Sequence, residues 1–169
     1  QSRSFYGMVA AHLGVAVTVI GITFSSYYSL EHDVRLVPGD TFVLGEHHFL
    51  FEELTEHRGA NYTASRAIVR VTRDGRQVGR LHTEKRMYTV TGMPMTEAGI
   101  DWGLTRDLYV ALGEPLGDGD WAVRLYYKPY VRWIWLGSLL MALGGILAAA
   151  DRRYRLSRKT DPAAVENPV

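Results

Sequence analysis

The sequence predicts a membrane protein in which two transmembrane helices flank an all-β domain, sandwich or barrel-like. Three observations predict it. From Ser4 to Leu30 there are 27 residues without Asp, Glu, Lys or Arg, more than the roughly 20 a helix needs to cross a bilayer. A second uncharged run of 18 residues extends from Trp133 to Ala150. At 1.5 Å per residue it is about 27 Å long, close to the ~30 Å hydrocarbon core. Between the two runs, residues 31–130 carry 12 basic and 15 acidic side chains, and turn signals recur along them.

The first helix is assigned to residues 5–28. A cleaved signal peptide has an apolar stretch of roughly 7–15 residues, so this longer run reads as a retained helix of a chain cut from something larger. It is rich in small residues. Gly7/Ala11, Ala10/Gly14 and Gly14/Thr18 follow the small-xxx-small spacing that lets helices approach closely, and the expectation is a larger helical bundle.

Residues 31–130 follow as a β domain. Pro38-Gly39-Asp40, Gly45, Arg58-Gly59, Asp74-Gly75, Gly92, Gly113 and Gly117-Asp118-Gly119 punctuate it. The predicted strands between them are 42–44, 49–54, 67–73, 77–85, 87–90, 108–112 and 121–127. Ala67, Val69 and Val71 alternate with Arg66, Arg70 and Thr72, the pattern of a sheet with one wet face. Asp74-Gly75 suits a two-residue type I′ hairpin, in which both central residues need φ > 0.

The second helix is assigned to residues 133–150, and residues 151–169 to a basic, partly disordered tail. Arg152, Arg153, Arg155, Arg158 and Lys159 follow the second helix. By the positive-inside rule the tail is cytoplasmic. Two spans then return the N-terminus to the same side, and the middle domain faces the periplasm of a Gram-negative cell. Tyr27 and Tyr28 at the end of the first span, and Tyr126, Tyr127, Tyr130, Trp133 and Trp135 at the start of the second, match an aromatic belt at the outer interface.

Composition excludes several classes. A net charge of +1 offers no basic footprint for nucleic acid. The absence of Cys rules out a disulfide framework, a zinc ribbon, a CxxC redox pair and a c-type haem attachment site within this chain. No G-x-S-x-G, P-loop or strand–GxGxxG–helix motif is present.

His12 is the candidate functional residue. It lies about 12 Å along the helix from Ser4, where ionisable groups are costly and are functional or partnered. Two readings stand: a ligand to haem iron or another metal, or a packing His hydrogen-bonded to a neighbouring helix. No other His occurs in either span, so bis-histidine ligation needs a second His from outside this chain. The other histidines, His32, His47, His48, His57 and His82, read as solvated surface residues. His47 and His48 are adjacent and point to opposite faces of a strand. Glu84, Glu97, Asp101 and Asp107 read as structural or solvated rather than as acid/base pairs. Arg106, Arg124, Lys128 and Arg132 form a candidate basic lip that anchors the domain at the membrane interface.

Four blocks carry a family resemblance: residues 6–17 (YGMVAAHLGVAV), residues 84–98 with their EKRMY and MPMTEA motifs, residues 106–119 (RDLYVALGEPLGDG) and residues 127–137 (YKPYVRWIWLG). Together they resemble the C-terminal part of the CcmF/NrfE/CcsA-type family of cytochrome c biogenesis proteins, the haem lyase subunits. The resemblance covers nearly all of residues 5–156 and implies the last two membrane helices of such a protein with the periplasmic domain between them. In this family a membrane-embedded b haem is held by two His residues on different helices. His12, in the matching His-Leu-Gly motif, would be one axial ligand of its iron, and the second would come from outside this chain.

The resemblance further implies a place in haem handling and covalent haem attachment to apocytochrome c. The b haem would supply electrons that keep the transferred haem iron reduced. Expected partners are the rest of CcmF, the haem chaperone CcmE, CcmH and CcmI, apocytochrome c and the lipid bilayer of the inner membrane. The family's tryptophan-rich WWD segment and the two periplasmic His ligands of the transferred haem have no match here, so this chain alone is not a complete enzyme. It reads as a fragment or a split-gene subunit. The alternative is a non-catalytic two-helix membrane protein whose β domain is a protein-interaction module.

Overall fold

The structure, a computed structural model, describes residues 2–151. It separates into a helix pair, up to Ile22 and from Trp133, and a β unit over Thr23–Arg132. The expected disorder in the tail beyond Asp151 lies outside the described residues.

Helix α1 spans Arg3–Tyr28 and α2 spans Val131–Ala149. Both are long and apolar enough to cross a membrane. Val15, Val17, Thr18, Val19 and Ile20 are β-branched and would favour a strand in water. Lipid reverses that preference, because a helix satisfies all its backbone groups internally. The N-terminus of α1 is capped twice. Phe5 N–H reaches the Ser2 carbonyl at 3.1 Å and its hydroxyl at 3.3 Å, the N-cap arrangement. Ser4 N–H donates to the Asp151 carboxylate at 2.9 Å, so the residue just past α2 satisfies an orphan amide of α1.

The helices meet along a glycine seam. Gly7, Gly14 and Gly21 are the buried residues of α1, and Gly137 and Gly144 those of α2. A Cβ on Gly7 would lie 2.6 Å from the Ala148 amide nitrogen, one on Gly14 2.7 Å from the Gly137 carbonyl oxygen, and one on Gly144 2.6 Å from the Gly7 carbonyl oxygen. No side chain fits there. The seven-residue spacing keeps the seam on one face, as in a coiled coil. The small residues expected to recruit a larger bundle therefore have a partner within this chain: Gly7/Ala11 and Gly14/Thr18 both face α2.

The β unit is a sandwich. One sheet has the order β1-β9-β8-β7 and the other β2-β3-β4-β5-β6, every pairing antiparallel. The strands are β1 Leu30–Leu36, β2 Thr41–Leu44, β3 His47–Arg58, β4 Tyr62–Arg73, β5 Arg76–Tyr88, β6 Pro94–Glu97, β7 Gly99–Trp102, β8 Arg106–Gly117 and β9 Asp120–Pro129. Inward-facing residues of the two sheets meet in one core. Phe49, Phe51, Val69, Val71 and Leu81 come from one side, and Leu108, Val110, Leu112, Val123 and Leu125 from the other. Ala67, Val69 and Val71 are buried as their alternation predicts, and Asp74 and Gly75 both have positive φ, 51° and 72°.

Three strands differ from the sequence reading. β1 was not predicted: three of its seven residues are charged and most are exposed, with Val34 half-buried and only its last residue buried. It is an edge strand paired to β9 alone. β6 and β7 are separated by Ala98 yet belong to different sheets. Gly99 makes this corner possible, since a Cβ there would lie 2.7 Å from the His82 carbonyl oxygen. Thr83, fully buried, ties the layers: its hydroxyl donates to the Glu97 carbonyl at 2.7 Å and accepts from Leu112 N–H at 3.0 Å. The predicted strand over 87–90 is instead the end of β5 and a turn, closed by Gly92 N–H to the Tyr88 carbonyl at 2.8 Å.

Candidate functional site

His12 sits on an exposed face of α1. At 100° per residue it lies roughly 140° round the helix from Gly7. Pairing along the glycine seam thus turns the imidazole away from α2. Its Nδ1 lies 2.8 Å from the Met8 carbonyl oxygen. A carbonyl only accepts, so Nδ1 carries the proton and donates. The lone pair then resides on Nε2, the tautomer in which a histidine ligates iron, with the second nitrogen oriented by a hydrogen bond. The residues one turn away and beyond on this face, Met8, Ala16 and Val19, are uncharged. This face of α1 therefore presents an imidazole of fixed tautomer among uncharged side chains. Among the described residues no group of three His, Asp or Glu side chains is placed to hold a metal ion.

The sandwich carries a second feature. The last turn of α1, the β2–β3 turn and the end of β9 line an open pocket of about 420 Å³ walled by Phe24, Tyr28, Tyr127 and Tyr130, with Glu46 and His47 in its lining. His47 corrects the sequence reading. It is not solvated but 3% exposed, its ring 5.5 Å from that of Tyr127, and its Nε2 is buried without a hydrogen-bond partner. Burial pushes its pKa below the ordinary imidazole value, and the Arg106 and Arg73 charges push the same way. The signal was in the sequence: His47, Phe49 and Phe51 share the inward parity of β3, buried at every second position. His32, His48, His57 and His82 are exposed as expected.

The acidic residues are tied up in ion pairs. Glu84 lies between Arg66 at 2.5 Å and Arg86 at 2.8 Å. Burial raises its pKa, but the hydrogen bonds from the two guanidiniums outweigh that and hold it below the usual carboxylate range. Glu97 pairs with Arg86 at 3.0 Å, Asp101 with Arg106 and Asp107 with Arg132 at 3.3 Å. This also reshapes the basic lip. Arg106 and Arg132 are neutralised by carboxylates, and Arg124, in the middle of β9, pairs with Asp33 at 2.5 Å. Lys128 lies over the Tyr126 ring at 5.4 Å.

Residues 27–129 match the family model described as the CcmF C-terminal beta-sandwich. The chain belongs to the CcmF family. It is 60% identical over 159 residues to the cytochrome c-type biogenesis protein CcmF of Pseudomonas aeruginosa, covering 94% of this chain and 24% of that protein. The corresponding figures for CcmF of Escherichia coli are 55% over 165 residues, 96% and 26%. The cytochrome c-type biogenesis protein NrfE of Haemophilus influenzae is 40% identical over 152 residues, covering 90% of this chain and 24% of its own. A solved structure, "Cytochrome c Heme Lyase CcmF", superposes with a TM-score of 0.70 at 24% identity, over 88% of this chain and 25% of its own, a likeness of fold. This CcmF-family chain spans about a quarter of the length of these relatives. It is a membrane protein whose two apolar helices flank the β-sandwich.

Proposed function

We propose that this chain acts in cytochrome c biogenesis as the C-terminal part of a haem lyase, supplying one axial His of a membrane b haem and a periplasmic docking domain for haem attachment to apocytochrome c. The single observation that carries this reading is the geometry of His12. α2 fills the glycine seam, so α1 offers its His face to something beyond this chain, and Met8 fixes the tautomer that leaves Nε2 free. In a membrane such a group needs a partner. A b haem bound there would supply the electrons that keep the transferred haem iron reduced. The chain's own contribution is to fix the tautomer and rotation of the imidazole and surround it with uncharged side chains. The second ligand comes from another helix of the full-length protein.

The residues flanking the helices support a periplasmic sandwich with both termini in the cytoplasm of an inner-membrane protein. The thiols that receive haem belong to the substrate, which agrees with a chain that has no Cys. CcmE, CcmH and CcmI are the partners proposed for the assembled lyase.

The test is a pyridine haemochrome spectrum of the full-length protein, with His12 intact and as His12→Ala. A b-haem signal that drops sharply in the variant is expected. Retention of full haem by His12→Ala overturns the ligand assignment and favours the reading of the sandwich as a protein-interaction module.

A further inference from the structure

The β7–β8 loop exposes two large apolar side chains on a rigid mount. Trp102 is 69% exposed and Leu104 63%. The loop is nevertheless held in place. Gly103 N–H donates to the Asp107 carboxylate at 3.0 Å, which also receives Arg132 Nε at 3.3 Å. The Arg132 guanidinium lies 4.6 Å from the centre of the Trp102 ring. Tyr130 N–H donates to the Thr105 carbonyl at 3.0 Å. The Gly103–Asp107 bond is internal to the loop and the start of β8, while the ties through Arg132 and Tyr130 run to the chain entering α2, which begins at Val131, and α2 is a membrane helix.

We propose that Trp102 and Leu104 form a third membrane contact, inserted into the interfacial region of the bilayer on the side where the sandwich lies. The occupant of this apolar surface is lipid, and the argument is continuity with the membrane entry of α2. The loop is hydrogen-bonded to the residue just before that helix, so it stands at the depth where the chain passes from water into lipid. Tryptophan and leucine suit that layer, where an indole sits at the headgroup level and an aliphatic group just below it.

The sheet order explains what a third contact does. β1 and β9, which connect to the two helices, are neighbours, so their attachment points are only about 5 Å apart. Two attachments that close define a single point on the sandwich's membrane-facing end. β7 is the opposite edge strand of the same sheet, three strands from β1, or roughly 14 Å away. A lipid contact there adds a membrane attachment at the far edge of the same sheet.

The test uses site-directed spin labelling of the full-length protein in phosphatidylethanolamine–phosphatidylglycerol vesicles, on a background freed of other cysteines. The label is placed by Leu104→Cys, and in a separate sample by Val90→Cys. Val90 is a stringent reference: apolar, 88% exposed, and in the β5–β6 turn at the other end of the sandwich. Power saturation compares collision with oxygen, which concentrates in lipid, against collision with a water-soluble nickel chelate. The expected oxygen-to-nickel ratio is severalfold higher at 104 than at 90. Equal ratios place the loop in water and overturn the proposal. Shielding of position 104 from both reagents means protein covers the loop, and this also overturns it. Both substituted positions are exposed, so neither change disturbs the core.

Discussion

The helix pair and the sandwich of this chain solve the same problem with opposite means. In the sandwich the largest apolar side chains go inside: Phe49, Phe51 and Leu108 are 0% exposed. In the helix pair only glycines are fully buried, while Leu13, Leu139 and Ile146 are 56%, 58% and 66% exposed. The difference lies in the solvent. In water, burying apolar surface drives folding at about 25 cal/mol per Å². In lipid that drive is absent, and helices associate where small residues let their backbones approach. One region is held together by what its side chains fill, the other by side chains that are missing.

Three substitutions sharpen the comparison. The largest effect is expected for Phe49→Ala, which leaves a cavity between the sheets and costs about 3–5 kcal/mol. Hydrogen exchange should show faster opening of β3 and β4 with α1 and α2 protected as before; equal loosening of the helices would mean the two regions do not stabilise themselves separately. Next is Gly14→Leu, which adds the kind of residue that stabilises the sandwich core and here destabilises, by about 1–3 kcal/mol from overpacking. Spin-label distances between α1 and α2 should lengthen while the sandwich keeps its exchange protection.

The smallest effect is a pH dependence at His47. Its folded pKa lies below the ordinary 6.5, so the unfolded chain takes up its proton first as the solution is acidified. The stability associated with the neutral ring is complete above that value and declines as pH falls below it towards the folded pKa. His47→Phe removes this component and the orphaned Nε2 together. The thermal midpoint of the sandwich should fall less between about pH 7 and about pH 5.5 in the variant than in the parent. A variant with the parent's slope would show that His47 titrates normally.

Much of this was legible from the sequence. The two uncharged runs announced the helices, because membrane thickness imposes a minimum length on any apolar span. The alternation around Val69 and the Asp74-Gly75 pair announced a hairpin with one buried face. His47 was legible and misread: its polar ring suggested solvent, yet it shares the inward parity of Phe49 and Phe51. The edge strand β1 was legible and missed, since Leu30, Val34 and Leu36 alternate with Glu31, Asp33 and Arg35, whereas the single-residue corner at Ala98 carried no local signal because only its partners define it.

The sequence by itself determined the solvent of each region and, through the 3.6-residue period, that His12 and the Gly7–Gly14–Gly21 stripe lie on different faces of α1. Only the tertiary structure decided which face is occupied. The glycines were open to any helix, and α2 takes them because its own Gly137 and Gly144 recur at the same seven-residue interval, a complementarity between segments more than a hundred residues apart. Local pattern records which solvent a side chain prefers; contact between distant backbones depends on shape at both ends of the chain at once, and this pairing leaves the His12 face free.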